Sequence, residues 1–285
     1  MNCISIILPA RNEAKSLAVL LPKIRAMYPE TEIIVVDDGS EDNTEILCRQ
    51  QEVNLIRQPE SLGNGAAIKA GSRAAIGKIF IFMDADGQHQ PEGITDLLQG
   101  IEQGYDMVVG SRDKNSNSSM LRYLGNQFYN YLATWVTGHR IIDLTSGFRA
   151  VRADKFLDFL NILPNGFSAP TTITIAFFRA GYSVKYTPIE VKKDTDKSHI
   201  NIFKDGVRFF LIIFRIAVLY SPLKIFFPVS LAIFTIGLGY YLYTYFSDGR
   251  FTNMGIVLFI TSVIVFLIGL ISEQITFLIY LDKKK

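Results

Sequence analysis

Apolar and polar residues alternate in blocks along the first 110 positions, and the blocks carry two different periods. Ile4-Ser5-Ile6-Ile7-Leu8 is a short, almost unbroken apolar run, which predicts a buried strand. From Ala14 to about Met27 the apolar residues Leu17, Leu20, Leu21 and Ile24 return at helical spacing. Ile33-Ile34-Val35-Val36 is a β-branched run, the mark of a strand covered on both faces. Ser40-Glu41-Asp42-Asn43 then offers caps for a helix. Asn54 to Arg57 reads as a weaker strand, Asn64 to Ile76 as an Ala-rich helix, and Ile79 to Met83 and Met107 to Val109 as further strands. Repeated strand–helix units predict an α/β fold, a Rossmann-like, mostly parallel sheet with helices on both faces. Residues 111–119 are polar and loop-like, and helices are expected at about 120–137 and 170–180.

The pattern changes after residue 200. Lys204, Arg208 and Arg215 fall within roughly 40° of arc on a helix, in an otherwise apolar stretch. That predicts an amphipathic juxtamembrane helix over 200–222, lying at a membrane interface or packed on the preceding domain. Residues 225–246 and 251–272 contain no charge. Each is about 33 Å long as a helix, enough to cross a hydrocarbon core of about 30 Å. Ser247-Asp248-Gly249-Arg250 would join them as a hairpin. The expected organisation is a catalytic domain over 1–199, the juxtamembrane helix, and a two-span hairpin over 223–281. Lys283-Lys284-Lys285 follow the second span, Arg215 and Lys224 precede the first, and only Arg250 lies in the link. The positive-inside rule then places both termini and the domain in the cytoplasm of an integral membrane protein.

Composition refines this picture at three points. Hydrophobic residues make up 49% of the 285, high for a purely soluble chain, and the excess is C-terminal. A net charge of +2 argues against a nucleic-acid partner. Cys3 and Cys48 have no metal spacing and suggest no disulfide framework, which fits a reducing compartment. The first apolar run stops at Arg11, too short for a signal peptide.

The chemistry sits after the strands. Asp37-Asp38 and Asp84-Ala85-Asp86 each end an apolar run. In a parallel α/β sheet ligands bind beyond the C-terminal strand ends, so both sets should reach one edge. Gly39 and Gly87 free the backbone just after each set. Clustered carboxylates repel unless a cation or donors satisfy them, and oxygen ligands select Mg²⁺ or Mn²⁺. Such a metal would bridge diphosphate oxygens. Helix capping is the bland alternative for Asp37 or Asp38 taken singly. Gly63-Asn64-Gly65 is not a P-loop, because no Gly-Lys-Ser/Thr follows it.

Leu8-Pro9-Ala10-Arg11-Asn12-Glu13, Val35-Val36-Asp37-Asp38-Gly39-Ser40, Gly63-Asn64-Gly65, Asp84-Ala85-Asp86-Gly87-Gln88-His89 and Gly110-Ser111-Arg112 follow in order. Over about 1–200 this resembles an inverting family 2 glycosyltransferase of the GT-A fold. The Asp-Ala-Asp-Gly-Gln-His form and Asp143-Leu144-Thr145-Ser146-Gly147-Phe148-Arg149 resemble the polyprenyl-phosphate branch, which includes dolichol-phosphate mannose synthase. The two C-terminal spans resemble bacterial members that load sugars onto undecaprenyl phosphate.

The resemblance implies roles by position. Pro9, Ala10, Arg11 and Glu13 would line a nucleotide pocket with Asp37 and Asp38, the acidic pair holding base and ribose, and Gly65 would turn into the helix beside it. Asp84, Asp86 and Gln88 would hold Mg²⁺ or Mn²⁺ and the donor diphosphate. Arg112 and Arg122 are candidates for the acceptor phosphate, Asp143 for a place near the reacting carbon, and Arg149 for a supporting cation. The family commonly shows Arg-x-x-Gly-x-Ser-Lys before the membrane; here Lys193-Asp194-Thr195-Asp196-Lys197-Ser198-His199 stands there. Lys197 and Ser198 are its candidates, although Lys cannot make the bidentate contact of Arg. The implied reaction moves a sugar from a UDP- or GDP-linked donor to undecaprenyl or dolichyl phosphate, with uridine favoured. The alternatives are transfer to another membrane lipid such as diacylglycerol, and a non-enzymatic scaffold of a lipid-linked sugar pathway. A processive polysaccharide synthase would carry Gln-x-x-Arg-Trp, and the single tryptophan, Trp135, follows Thr134 instead. Gly237, Gly239 and Gly255 offer small packing residues for a possible homo-oligomer.

Overall fold

A computed structural model describes residues 3–112, 120–166, 168–189, 214, 218, 220–250 and 252–281, without the side chains of 120–126, 248 and 279–281. The chain forms two compact units, Met1–Thr134 with His139–Asp205, and Trp135–Gly138 with Gly206–Lys285.

The first unit is built on seven strands: β1 (Ile4–Ala10), β2 (Glu32–Asp37), β3 (Asn54–Arg57), β4 (Ile79–Phe82), β5 (Met107–Arg112), β6 (Arg149–Arg152) and β7 (Val184–Ile189). Their order across the sheet is β3-β2-β1-β4-β6-β5-β7. All pairs are parallel except those of β6, which runs antiparallel between β4 and β5. The Rossmann-like, mostly parallel sheet is therefore present as expected. Helices α1 (Ala14–Met27), α2 (Thr44–Gln50), α3 (Asn64–Ala74), α4 (Gly93–Glu102), α5 (Met120–Thr137), α6 (Ala153–Leu157) and α7 (Ala169–Arg179) connect or flank the strands. On α1 the buried residues are Leu17, Leu20, Leu21 and Ile24, the stripe its spacing predicts. They join Ile6, Leu8, Ile33, Val35, Ile81 and Val108 in one core under the sheet. Both cysteines are free, Cys48 buried and Cys3 exposed.

Strands β6 and β7 and helices α4 and α6 were not evident from the pattern. Strand β6 is Arg-Ala-Val-Arg, too short and charged to read as buried. Its burial comes from its neighbours: Arg149 lies opposite both Phe82 and Val109. Strand β7 contains Pro188 near its end, and α4 starts and nearly ends on glycines, which blunt the helical signal.

In the second unit α8 (Leu223–Asp248) and α9 (Asn253–Leu281) form an antiparallel pair. Leu223–Ser247 and Asn253–Leu278 are long and apolar enough to cross a membrane, with mean hydropathy 1.8 and 2.9. Their windows are only 11% and 17% buried, so these are not core helices of a soluble fold. Helix α8 continues through Ser247 and Asp248 and stops at Gly249, whose φ of 63° allows its N–H to reach the Tyr245 carbonyl. Close approach uses two glycines: a Cβ on Gly237 would lie 3.0 Å from Leu258 Cβ, and one on Gly269 2.6 Å from Phe226 Cβ. Gly237 thus packs within the hairpin, and Gly239 has nothing within 4 Å. Glu273 of α9 accepts hydrogen bonds from Leu223 N–H (3.2 Å) and Ser221 Oγ (3.4 Å), so a carboxylate caps the start of α8.

Candidate active site

The sheet's strand order reverses between β1 and β4, and such a switch point opens a crevice at the C-terminal strand ends. A cavity of about 390 Å³ lies there. Its walls are Pro9, Ala10, Arg11 and Glu13 after β1, Asp38 after β2, Ser61, Gly63, Asn64 and Ala67 around the start of α3, and Asp84, Ala85 and Asp86 after β4. Thr145, Gly147 and Pro170 close the far side. The structure brings seven sequence candidates to this wall: Pro9, Ala10, Arg11, Glu13, Asp38, Asp84 and Asp86. Asp37, Gly65, Gln88, Arg112, Asp143 and Arg149 stand behind or beside it. Arg122 lies on α5 with its side chain outside the description, and Lys197 and Ser198 lie outside the described residues.

The nucleotide side is set by two cross-linked turns. Asn12 takes a left-handed φ of 58°, and its N–H donates to Ser40 Oγ at 2.9 Å while its Oδ1 accepts from Glu41 N–H at 2.8 Å. Glu13 N–H reaches Thr44 Oγ1 and Ala14 N–H reaches Asp42 Oδ2. Asp37 is fully buried, with Oδ1 accepting from Ser40 N–H at 2.8 Å. Its Oδ2 has no hydrogen-bond partner among the described residues, and Arg57 Nε stands 3.8 Å away. Asp38 instead accepts from Ser61 Oγ, Leu62 N–H and Gly63 N–H, which shapes the turn into α3. Gly39 has a φ of 69°, and a Cβ there would strike the Glu60 backbone at 2.8 Å. Gly65 packs against the carbonyl of Pro164 rather than facing the cavity.

The acidic wall is a cluster of like charges. Asp84 is 36% exposed at its side chain, toward the cavity, yet is enclosed by the surrounding walls. That burial raises its pKa, opposed by a hydrogen bond from Asn64 and by the charges of Arg112 and Arg149. Glu13 is raised too, first by burial; its bond from Ser16 opposes the shift, and the nearby Asp86, Asp42 and Asp84 add to it. Asp86 Oδ1 accepts from Gln88 N–H at 2.9 Å, across the turn that Gly87 makes at φ 74°. Among the described residues no three His, Cys, Asp or Glu groups converge on a metal position. Two cavity carboxylates fit a hard divalent cation all the same, because Mg²⁺ commonly takes one or two carboxylates and fills its shell with water and substrate phosphate.

Beside the cavity, Arg112 and Asp143 form a bidentate pair: Nε to Oδ2 at 2.8 Å and Nη2 to Oδ1 at 3.0 Å. Asp143 also accepts from the N–H groups of Thr145 and Ser146, both at 3.1 Å. Burial alone would raise its pKa, but the hydrogen bonds and charge of Arg112 hold it below the usual carboxylate value. Arg112 Nη2 also donates to Thr145 Oγ1. Arg149 is 2% exposed and donates to the carbonyls of Ser146 and Pro170 and to Thr174 Oγ1. Burial brings its pKa down to about 10. His89 stacks on Phe148 with ring centres 5.0 Å apart, its Nε2 3.8 Å from Asp84 Oδ2. Burial lowers its pKa to about 4, so it is neutral in the working range. Thr145, Gly147, Asn64 and Ser61 are site residues that the sequence reading did not assign. Gly147 matters most: a Cβ there would sit 2.6 Å from Asp84 Oδ2. Its only signal was its place inside the Asp143–Arg149 segment.

An acid-lined crevice at the switch point of this sheet defines the GT-A class of sugar-transferring enzyme. Residues 5–159 match Glycosyl transferase family 2, and the chain belongs to that family. Residues 221–278 match the GtrB C-terminal hairpin. The chain is 28% identical to glycosyltransferase AglJ of Haloferax volcanii, over 85% of this chain and 81% of that one. It is 29% identical to the polyprenol monophosphomannose synthase of Mycolicibacterium smegmatis, over 65% of this chain and 75% of that one. Among solved structures, glucosyl-3-phosphoglycerate synthase from Mycobacterium tuberculosis in complex with uridine diphosphate superposes with a TM-score of 0.62 at 19% identity. That match covers 76% of this chain and 80% of that one, and it concerns the fold.

Proposed function

We propose that this protein transfers a sugar, with inversion, from a nucleotide-sugar donor to a polyprenyl phosphate held in the membrane, releasing nucleoside diphosphate. The observation that carries this reading is the Arg112–Asp143 pair beside the acid-lined cavity, on a chain that ends in an apolar hairpin. The polyprenol-phosphate relative supports the acceptor class. The hairpin would span the bilayer with both termini and the catalytic domain on the cytoplasmic side, as the flanking lysines favour.

The chemistry asks for little base catalysis. A phosphate monoester has its second pKa near ~6, so the acceptor oxygen is largely ionised at neutral pH. Asp143 has its oxygens occupied by Arg112, Thr145 and Ser146, which suits it to hold a guanidinium and not to take a proton. Arg112, fixed along one edge, turns its remaining donors to the acceptor phosphate and offsets the repulsion between the two anionic substrates. Pro9, Arg11, Glu13 and Asp38 at the cavity wall, with the buried Asp37 behind them, would orient the nucleotide. Asp84 and Asp86, with Gln88 beside them, would hold Mg²⁺ or Mn²⁺, which supplies positive charge for the departing diphosphate. Asn64 donates a hydrogen bond to Asp84, and Gly147 leaves room for its carboxylate.

Labelled UDP-glucose, GDP-mannose and UDP-N-acetylglucosamine should be offered to the membrane-reconstituted protein with undecaprenyl phosphate or diacylglycerol, beside Asp86→Ala. Metal-dependent label in undecaprenyl phosphate, lost in the variant, is the expected result and names the sugar. Label in diacylglycerol alone, or a lipid-diphosphate sugar product, would overturn the reading.

A further inference from the structure

Thr145 stands where the acid-lined cavity meets the Arg112–Asp143 pair. It is half-buried, it forms part of the cavity wall, and its hydroxyl touches both members of the pair. Arg112 Nη2 donates to Thr145 Oγ1 at 2.5 Å. A guanidinium has donors and no acceptor, so this bond occupies a lone pair of the hydroxyl and leaves its proton to go elsewhere.

Within the pair, the proton can go to Asp143 Oδ1, at 3.2 Å. That oxygen is already taken. Arg112 Nη2 donates to it at 3.0 Å, and the N–H groups of Thr145 and Ser146 donate to it at 3.1 Å. A carboxylate oxygen offers about two lone-pair sites, so the N–H donors fill it and the hydroxyl, the most distant, is surplus. Asp143 Oδ2 is held by Arg112 Nε at 2.8 Å and by the Arg112 N–H at 3.3 Å. The Thr145 proton is therefore free to turn into the cavity. The other hydroxyl of the wall has no such freedom, because Ser61 Oγ gives its proton to Asp38 Oδ2 at 2.8 Å. Asn64 spends its amide on Asp84. The wall is otherwise rich in acceptors, with Glu13, Asp38, Asp84 and Asp86. Side-chain donors with a proton to spare are few in it: Arg11 on the near side and Thr145 on the far side.

We infer that the Thr145 hydroxyl donates a hydrogen bond to an oxygen of the nucleotide-sugar donor, on the sugar or on the diphosphate, while it goes on accepting from Arg112. The bond from the guanidinium polarises the hydroxyl and strengthens what it donates. One hydroxyl thus ties the donor cavity to the cation proposed for the acceptor phosphate. This rests on the donor reading of the proposed function and deepens it.

Donor binding is measured by titration calorimetry on the full-length protein in detergent micelles, with Mn²⁺ and without lipid acceptor. UDP, UDP-glucose, GDP and GDP-mannose are the probes. Thr145→Val keeps the shape and removes the hydroxyl. It should weaken binding of the preferred nucleotide sugar about 10-fold, the scale of one hydrogen bond, and Thr145→Ser should keep most of the parent's affinity. A loss shared by the nucleoside diphosphate puts the bond on the diphosphate, and a loss confined to the nucleotide sugar puts it on the sugar. Unchanged donor binding in Thr145→Val would overturn the inference, even with a raised KM for the lipid acceptor, because Thr145 would then act through Arg112 alone. Binding as weak in Thr145→Ser as in Thr145→Val would also overturn it, since the loss would follow the methyl group and not the hydroxyl. A thermal melt is run beside each variant, and where the valine chain does not fold, Thr145→Ala takes its place with the same expectation. A parent that binds none of the four probes removes the nucleotide-sugar reading and this inference with it. With no acceptor present, failure of the polyprenyl-phosphate reading leaves the donor contact standing.

Discussion

Asp143 shows how a residue's role follows from the partners it keeps. Its carboxylate is committed to Arg112 and to the turn it begins, so its task is to aim a cation. Asp143→Asn should therefore lower kcat by roughly 100-fold, the scale of a small misplacement at a reacting centre, with donor KM little changed. Steady-state kinetics separates the two, and an unchanged kcat would remove Asp143 from the mechanism. The same pair predicts a pH dependence. The folded pKa lies below the unfolded one, so the stabilisation is full above about pH 4 and is lost as pH falls through the lowered value. Thermal melts across the acid range should show a shallower acid limb in Asp143→Asn than in the parent. Gly147→Ala tests the neighbouring carboxylate. Its new Cβ would crowd Asp84, and a loss of about 100-fold in activity is expected, compared at saturating metal.

At the scale of elements, the turn from Leu163 to Gly166 is the least obvious support of the site. Lys69 of α3 donates to the Leu163 carbonyl and to Asn165 Oδ1, and Ala66 N–H donates to the Asn165 carbonyl. Gly65 allows that approach, since any Cβ would collide with the Pro164 carbonyl. Gly65→Ala should then destabilise the fold by about 1–3 kcal/mol through overpacking. Gly166→Ala is the control, because nothing lies within 4 Å of its Cβ position. Equal denaturation midpoints for the two variants would show that the approach is not as tight as drawn. Element identity was legible wherever burial wrote a pattern on the chain. Strands β1, β2 and β4 are covered on both faces and read as unbroken or almost unbroken apolar runs. Strand β6 was not legible, because its partners Phe82 and Val109 lie far away in sequence and supply the burial its own residues do not signal.

For the whole molecule, the proposed orientation of the hairpin is testable. A cysteine placed at Asp248, in a chain lacking Cys3 and Cys48, should react with a membrane-impermeant maleimide only from outside the cell. A cysteine at Lys285 should react only after the membrane is opened. The reverse pattern would invert the orientation that the flanking lysines favour.

The sequence by itself determined the fold class, the hairpin and the two acidic motifs, since each is written in contiguous residues: apolar period, span length, and carboxylates directly after strands. It also determined that Asp84 and Asp86 share an edge with Asp38, because parallel strands deliver their C-terminal ends to one side. Tertiary structure alone decided what those groups touch. The bidentate hold of Asp143 on Arg112 spans 31 residues, the approach of Gly147 to Asp84 spans 63, and the Lys69–Asn165 contact spans 96. Side-chain partners at such separations depend on strand order and packing, and a local pattern of hydrophobicity carries no record of either.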